Sequence, residues 1–501
     1  MLQATGRLGG ISLRQTLSNA RVYRGDDIVA TRCSVEAKRV RPGDLFVALA
    51  MPQSDGHNEI DLAIERGASA ILSERLLPID LPHCVVPDSR EALGRVCQEL
   101  AGRPTEQLQT IGVAGTQGKT ITSLLIASVL EAARKTCGVI STIGYSDGAE
   151  QVSASVSTPP APELANWLSR MVLTGSSHAV VEVSRQALAE RRIAGMSFDA
   201  AVLTSLRPSA FDEVGSLLNE RQLQSRLIEQ LKTSGFVIAN ADDVNVAAVV
   251  DKVACPVMTY GLYGEAEVTA TILERHLSEQ TFLLHAGSET IPVCTHMLGD
   301  HHVQHCLAAA SVGLVLGIPL HIIARGLEAQ RYMPGRLERL ECGQPFGVFV
   351  DYARTPEMLT ASLKAVRQVT QGRVICVTGA QGESHKALRP LLGRVLERMA
   401  DKVIITSDSP RGEEPLQIAH EILDGMTDVG EPRLLPNRAK AIEWALSQAR
   451  PGDTVLIAGK GDQDKQIIGK KQQTHDDREI ARDWLYNVGA KIEYPQAKFA
   501  C

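Results

Sequence analysis

Short apolar runs alternate along this chain with amphipathic stretches, and that alternation predicts the fold. Ile111 to Ala114 is apolar; it gives way to a glycine-flanked turn at residues 115–120, after which Ile121 to Glu131 repeats apolar residues at helical spacing. The same order recurs through residues 108–332, where residues 136–140, 178–184, 200–205 and 236–240 read as strands. It recurs again in residues 336–501, with strands expected at 348–351, 374–379, 403–406 and 454–459. Strands alternating with helices predict mainly parallel sheets covered by helices. Residues 265–295 alternate more finely and are expected to form an antiparallel patch. Residues 1–107 read as a smaller α/β unit: a turn at Pro42-Gly43-Asp44, strands at 45–49, 70–72 and 84–86, and helices at 59–66 and 91–100, the second capped by Asp88-Ser89-Arg90. Gly102 to Thr105 and Met333 to Arg336 read as linkers, which divides the chain into 1–107, 108–332 and 333–501.

Composition changes this picture little. The chain has 501 residues, 44% of them hydrophobic and 22% charged; aromatics are only 4%, so cores must rest on Ala, Val, Ile and Leu. A net charge of −6 gives no nucleic-acid footprint, so any anionic ligand must be met by local Lys and Arg. No uninterrupted apolar stretch reaches the ~18 residues of a membrane span, and the N-terminus lacks an apolar signal core. The ten cysteines are scattered without a Cys-x-x-Cys pair, which favours reduced thiols packed as small hydrophobes and a cytoplasmic setting.

Chemistry concentrates at Gly115-Thr116-Gln117-Gly118-Lys119-Thr120. The glycines let the backbone turn tightly enough to aim successive N–H groups at an anion. Lys119 adds a point charge for phosphate oxygens, Thr120 a hydroxyl for Mg²⁺, and the following helix its N-terminal dipole. Strands of the third segment end in Gly, Asp or Thr, and ligand sites of open α/β sheets lie beyond such ends. His296, His301, His302 and His305 cluster in sequence, yet they lead into an Ala-rich helix from Cys306 and read as packing or capping residues. Asp242-Asp243 reads as a helix cap, Asp476 to Glu479 as the charged start of the last helix, and Lys470-Lys471 as solvated.

Taken together these segments resemble the Mur ligase family, in particular the branch that adds the third residue to UDP-MurNAc-dipeptide. The likeness is carried by Arg41-Pro42-Gly43-Asp44-Leu45-Phe46-Val47-Ala48-Leu49 and Val86-Pro87-Asp88-Ser89-Arg90, by the loop at 115–120, by Val181-Glu182-Val183-Ser184 and Asn240-Ala241-Asp242-Asp243, and by Val350-Asp351-Tyr352-Ala353, Ser407-Asp408-Ser409-Pro410-Arg411 and Ile457-Ala458-Gly459-Lys460-Gly461. In that family the loop has this Gly-Thr-x-Gly-Lys-Thr form, so Val113 in place of a stricter motif's glycine is no objection. The resemblance implies a three-domain α/β fold: an N-terminal UDP-sugar-binding domain, a central P-loop ATPase domain and a C-terminal Rossmann-like domain that admits the amino acid. It implies an ATP-dependent ligase that phosphorylates a substrate carboxylate and forms an amide, with ATP and Mg²⁺, and with a UDP-MurNAc-peptide and an amino acid as partners rather than nucleic acid or membrane. By the same likeness Gly115, Thr116, Gln117, Gly118 and Lys119 cradle phosphate, and Thr120 and Glu182 hold Mg²⁺. His302, Arg336 and Asp351 face the nucleotide, Thr158, Ser184 and Arg192 line the muramyl substrate, and Asp408, Arg411, Gly459 and Gln463 line the amino acid.

The chain also departs from the family pattern. Arg185-Gln186 stands where the family has Ser-His, Ser209-Ala210 replaces an Asp-His pair, and Gln224 aligns with a lysine the family carbamylates. Arg185 either supplies positive charge to the acyl phosphate in place of a second Mg²⁺ or is a solvated residue. In the C-terminal segment Arg354 replaces a His, and Gln463 replaces a Glu expected near the distal ammonium of the amino acid. Arg411 favours diaminopimelate over lysine. Two other readings follow from these changes: a nucleotide-binding paralogue with weak or lost ligase activity that serves as a binding or regulatory protein, and a ligase with altered substrates.

Overall fold

The computed structural model describes residues 10–51, 54–206, 214–251, 253–331, 333–384, 386–427 and 432–487. These residues form two compact units, one made of the described residues up to 269 with 305–326, the other of 270–304 and the described residues from 327 on.

Two main sheets run through the first unit, beside two two-stranded ones. The smaller has five strands in the order Arg21–Tyr23, His83–Val85, Ala70–Ser73, Leu45–Val47 and Cys33–Ser34, parallel except at the Arg21–Tyr23 edge. Helix Ser89–Leu100 packs on it, and Asp88 caps that helix by accepting from the N–H groups of Arg90 and Glu91 at 3.0 Å. The expected linker after this helix is instead the start of a short helix, Pro104–Gln107, because Pro104 is pre-set for its first turn and Arg103 takes a left-handed φ of 53°. The helix expected at 59–66 splits into a 3₁₀ turn, Gly56–Glu59, and a helix, Ile60–Glu65.

The larger sheet places Gln109–Ala114 at its centre, between His178–Glu182 and Phe198–Leu203, with Cys137–Ile140, Leu231–Asn240 and Val257–Tyr260 further out. All these pairings are parallel, and the register sets Val113 beside Glu182 and Ala114 beside Leu203. Strand order thus reverses at Gln109–Ala114, the topological position where open α/β sheets bind ligands. Helix Lys119–Ala132 starts two residues before the sequence-based expectation, directly at the turn. The core beneath is mostly Leu, Val, Ile and Ala, with Tyr145, Trp167 and Phe198 its main aromatics, as the low aromatic content requires.

The second unit holds a six-stranded sheet in the order Glu338–Arg339, Gly347–Asp351, Thr454–Ala458, Val374–Thr378, Lys402–Ile405 and Arg433–Leu434, parallel but for the Glu338–Arg339 edge. Gly347–Asp351, Thr454–Ala458 and Val374–Thr378 are buried along their whole length, which explains their unbroken apolar runs. Gln280–Ala286 and Glu289–Thr295 pair as an antiparallel hairpin, as the fine alternation predicts. The helix expected from Cys306 begins earlier, at Asp300, and so takes His301, His302 and His305 into its first turns.

Asp243 caps helix Val244–Val250 by accepting from the N–H groups of Asn245 and Val246. The last helix, Asp477–Asn487, divides the expected roles of its two aspartates. Asp476 accepts from the N–H of Arg478, whereas Asp477 is fully buried against Arg438, with Nε to Oδ1 at 2.8 Å and Nη2 to Oδ2 at 2.7 Å.

Candidate functional site

In the first unit the central strand ends in a loop that only glycine can make. Gly115 has φ +134°, and a Cβ there would lie 2.2 Å from Thr204 Oγ1; Gly118 has φ +83°, and its Cβ would lie 2.4 Å from His305 Nε2. Thr204 holds the loop closed by donating toward the carbonyls of Ala114 at 3.0 Å and Gln117 at 2.5 Å, and Thr116 N donates to Ser205 O at 2.7 Å. Lys119 Nζ folds over the loop and donates to Gly115 O at 2.8 Å and Thr116 O at 3.3 Å. Burial holds the ammonium below the ordinary lysine pKa, opposed by the charges of Glu182 and Glu220. The result is a tight glycine turn capped by a lysine ammonium, an arrangement whose charge can take phosphate oxygens.

Beside it Glu182 is buried at the end of its strand. Its carboxylate accepts from Thr120 Oγ1 at 3.0 Å, from Thr142 N at 3.0 Å and from Thr142 Oγ1 at 2.8 Å. A carboxylate and a hydroxyl in direct contact are hard oxygen donors, the set that suits Mg²⁺. The Glu182 carbonyl accepts from Thr158 Oγ1 at 2.7 Å, and the same hydroxyl accepts from Ser184 N at 2.9 Å. Ser184 caps helix Arg185–Ala189. Arg192 donates to Thr158 O at 2.5 Å and is paired with Glu190. Thr158, Glu182, Ser184 and Arg192 therefore form one connected network.

Arg185 pairs with Glu220, Nε to Oε2 at 2.5 Å, while its side chain remains 57% exposed. Gln224 is fully buried and donates to Glu220 Oε1 at 2.8 Å. Arg185 and Gln224, two of the departures from the family pattern, thus share Glu220 as a partner. Ser209 and Ala210 lie outside the described residues.

In the second unit Asp351 accepts from Leu337 N at 2.9 Å and from the Ser362 hydroxyl. Arg336 pairs with Asp462 at 2.7 Å and lies over the Tyr352 ring, 4.3 Å from its centre. Arg354 lies over the same ring at 4.3 Å, and donates to Gly459 O at 2.7 Å and to Gln463 Oε1. Asp408 is buried with Lys460 Nζ 4.0 Å away, and a Cβ on Gly459 would lie 3.1 Å from its Oδ2. Arg411 has its guanidinium 3.8 Å from Glu383. Arg336, Asp351, Asp408, Gly459 and Gln463 therefore gather past the carboxyl ends of this unit's strands. His302 is buried, its ring 4.2 Å from that of His301.

Thr142 and Glu220 escaped the sequence reading. Thr142 follows the strand Cys137–Ile140, and its place past a strand's carboxyl end was the available signal; Glu220 lies 35 positions from Arg185 and gave none.

Residues 113–313 match the Mur ligase middle domain, and residues 335–461 match the Mur ligase glutamate ligase domain. The chain is 36% identical over 463 residues to the UDP-N-acetylmuramoyl-L-alanyl-D-glutamate–2,6-diaminopimelate ligase of Geobacillus kaustophilus, covering 91% of this chain and 94% of that one. The chain belongs to the Mur ligase family. A second family member, the enzyme of the same name from Parabacteroides distasonis, is 34% identical over 91% of this chain and 95% of its own. A solved structure of a UDP-N-acetylmuramoyl-L-alanyl-D-glutamate–2,6-diaminopimelate ligase aligns with a TM-score of 0.69 and 26% identity, over 96% of this chain and 99% of that one. The MurF ligase of Thermotoga maritima in complex with ADP shares the Mur ligase fold at 20% identity, with a TM-score of 0.59 over 92% of this chain and 97% of that one.

Proposed function

We propose that this Mur ligase is an ATP-dependent carbon–nitrogen ligase that joins diaminopimelate to UDP-MurNAc-L-Ala-D-Glu through an acyl phosphate. The observation that carries the reading is the loop at 115–120, closed by Thr204, with Lys119 and the Thr120–Glu182 pair at its rim. Residues 1–107 are assigned to the UDP-sugar, 108–332 to ATP and 333–501 to the amino acid, and the enzyme is placed in the cytoplasm. Among the described residues no helix is long and apolar enough to cross a membrane.

In the first step a substrate carboxylate oxygen attacks the γ-phosphorus and ADP leaves. In the second the amine of diaminopimelate attacks the acyl carbon, inorganic phosphate leaves, and the amine gives up a proton. Little of this needs a protein nucleophile; it needs fixed positive charge and alignment. The N–H groups of Gly115 and of Gln117 to Thr120, with the Lys119 ammonium, neutralise the transferring phosphoryl group. Thr120 and Glu182 hold Mg²⁺, which supplies further charge stabilisation there. Thr158, Ser184 and Arg192 fix the muramyl substrate. Arg185 supplies a second cation, and Glu220, braced by Gln224, aims it. Arg336, Asp351 and His302 serve the nucleotide, and Asp408, Arg411, Gly459 and Gln463 serve the amino acid.

The test is inorganic phosphate release together with product mass, using UDP-MurNAc-dipeptide, ATP, Mg²⁺ and either diaminopimelate or lysine. Amide product with diaminopimelate supports the reading. ATP binding without amide product from either amino acid overturns it in favour of a nucleotide-binding paralogue.

A further inference from the structure

In the first unit, helix Lys119–Ala132 rests on Gln109–Ala114, His178–Glu182 and Cys137–Ile140, and the sheet continues past it. Gly144–Ser146 pairs antiparallel with Cys137–Ile140, setting Val139 opposite Ser146 and Ile140 opposite Tyr145, and Gln151–Ser153 forms the edge. Successive side chains of a strand point to opposite faces. One face of this extension is covered by helix Ala161–Leu173: a Cβ on Gly138 would lie 2.5 Å from Met171, and the Tyr145 ring meets that of Trp167 edge-on, centroids 5.8 Å apart. On the other face, between the flank of helix Lys119–Ala132 and the extended strands, lies a groove of about 520 Å³.

The groove has an aliphatic floor. Leu124 and Ala127 of the helix, Val139 of the strand and Ile143 of the turn that follows line it, and each is only half-buried. Its volume falls in the range of small-molecule pockets. Among the described residues no aromatic ring lines it, so it suits a flexible aliphatic chain better than a planar base. The lining also includes none of Gly115 to Thr120, Thr142 or Glu182, which separates the groove from the phosphate loop and its carboxylate.

One end of the groove is cationic. Arg134 and Lys135 line it, and among the described residues neither side chain has an ion pair or a hydrogen bond. Glu131 is the one carboxylate of the lining, so positive charge prevails. Arg134 stands where the helix ends: its N–H donates to Glu131 O at 2.8 Å, and the N–H of Lys135 donates to Leu130 O at 2.9 Å. This turn requires φ +57° at Arg134, a position that helices usually give to glycine. An arginine there bears some strain and brings a guanidinium to the groove.

We infer that this groove is a second ligand site, which takes an aliphatic chain with an anionic head. The chain lies against Leu124, Ala127, Val139 and Ile143, and the head, a carboxylate or a phosphate, meets Arg134 and Lys135. The inference is independent of the ligase reading. The test is calorimetric titration of the full chain with four probes: octanoate, octyl phosphate, octan-1-ol, which lacks the charge, and acetate, which lacks the chain.

The wild-type protein is expected to bind octanoate about 10-fold more tightly than octan-1-ol, the worth of two partly exposed charge contacts. It is expected to bind octanoate at least about 100-fold more tightly than acetate, which has little apolar area to bury. Arg134→Gly suits the left-handed backbone, so the helix end is kept. That variant is expected to bind octanoate about 3–5-fold more weakly and octan-1-ol as before. Ala127→Met lays its own side chain in the groove and is expected to weaken both probes about 10-fold or more. ADP affinity, unchanged in both variants, reports that the fold survives. A preference for octanoate over octyl phosphate assigns the site to a fatty acid, and the reverse preference to a phosphate ester. No saturable binding of octanoate by the wild type, equal binding of octanoate and octan-1-ol, or octanoate binding that both variants leave unchanged would overturn the inference.

Discussion

Replacing Gly115 by alanine tests the phosphate loop through its backbone alone, without touching a charge. At φ +134° an L-residue is strained by about 1–3 kcal/mol. The new methyl would also lie 2.2 Å from Thr204 Oγ1, well inside the closest approach that real Cβ atoms make. Thr204 cannot retreat freely, because its hydroxyl is engaged with the carbonyls of Ala114 and Gln117. Giving up those contacts costs about 0.5–1.5 kcal/mol each. Strain and lost bonds together come to about 2–6 kcal/mol, and the least costly relief is to open the loop. Even the low end weakens ATP binding about 30-fold. Gly102 is the control: its φ of +81° is also left-handed, but a Cβ there meets nothing within 4 Å and it lies outside the loop. Calorimetric titration with ATP should therefore show the loss in Gly115→Ala and wild-type affinity in Gly102→Ala. A folded Gly115→Ala protein that binds ATP within about twofold of wild type would refute the reasoning, since 2 kcal/mol cannot hide in so small a change.

Other outcomes follow from the same geometry. Lys119→Ala should weaken ATP binding by about 10-fold or more, a charged hydrogen bond's worth, measured by the same titration. Glu182→Gln keeps the size of the side chain but removes its charge beside Thr120; the gain in ATP affinity on adding Mg²⁺ should largely vanish, whereas affinity without Mg²⁺ should not fall. Asp477→Asn leaves the fully buried Arg438 without its counter-charge and should cost about 3–5 kcal/mol in urea unfolding, with Arg438→Met/Asp477→Leu recovering part of it. His178 has its pKa pushed down to about 4, first by burial and then by the Lys135 charge. The unfolded chain therefore takes up the proton first as pH falls. Stability from this group is complete above its ordinary pKa near 6.5 and is lost between there and about 4, to a maximum of about 3 kcal/mol; His178→Asn should flatten that part of the pH–stability curve.

What was legible in the sequence was what is local. The turn at 115–120 announces itself because two glycines must take positive φ within four residues, and the strand and helix beside it follow from apolar spacing. The central strands are readable because burial on both faces makes them continuously apolar. Short-range chemistry misled where two local rules compete: Gly102 and Pro104 read as a linker, yet Pro104 starts a helix. Long-range polar pairs left no trace. Asp477 looked like another first-turn charge, and only the fold brings Arg438, 39 positions away, against it. Glu220 likewise became visible as the partner of Arg185 and Gln224 once helix Val214–Ile228 was in place.

Ligase activity is read out by mass spectrometry of the nucleotide-sugar product, with phosphate release followed in parallel, for the full chain given UDP-MurNAc-dipeptide, ATP, Mg²⁺ and diaminopimelate. The expected product is heavier by one diaminopimelate less one water, with one inorganic phosphate released for each amide formed. Unchanged UDP-MurNAc-dipeptide, from a protein that binds ATP under the same conditions, would contradict it.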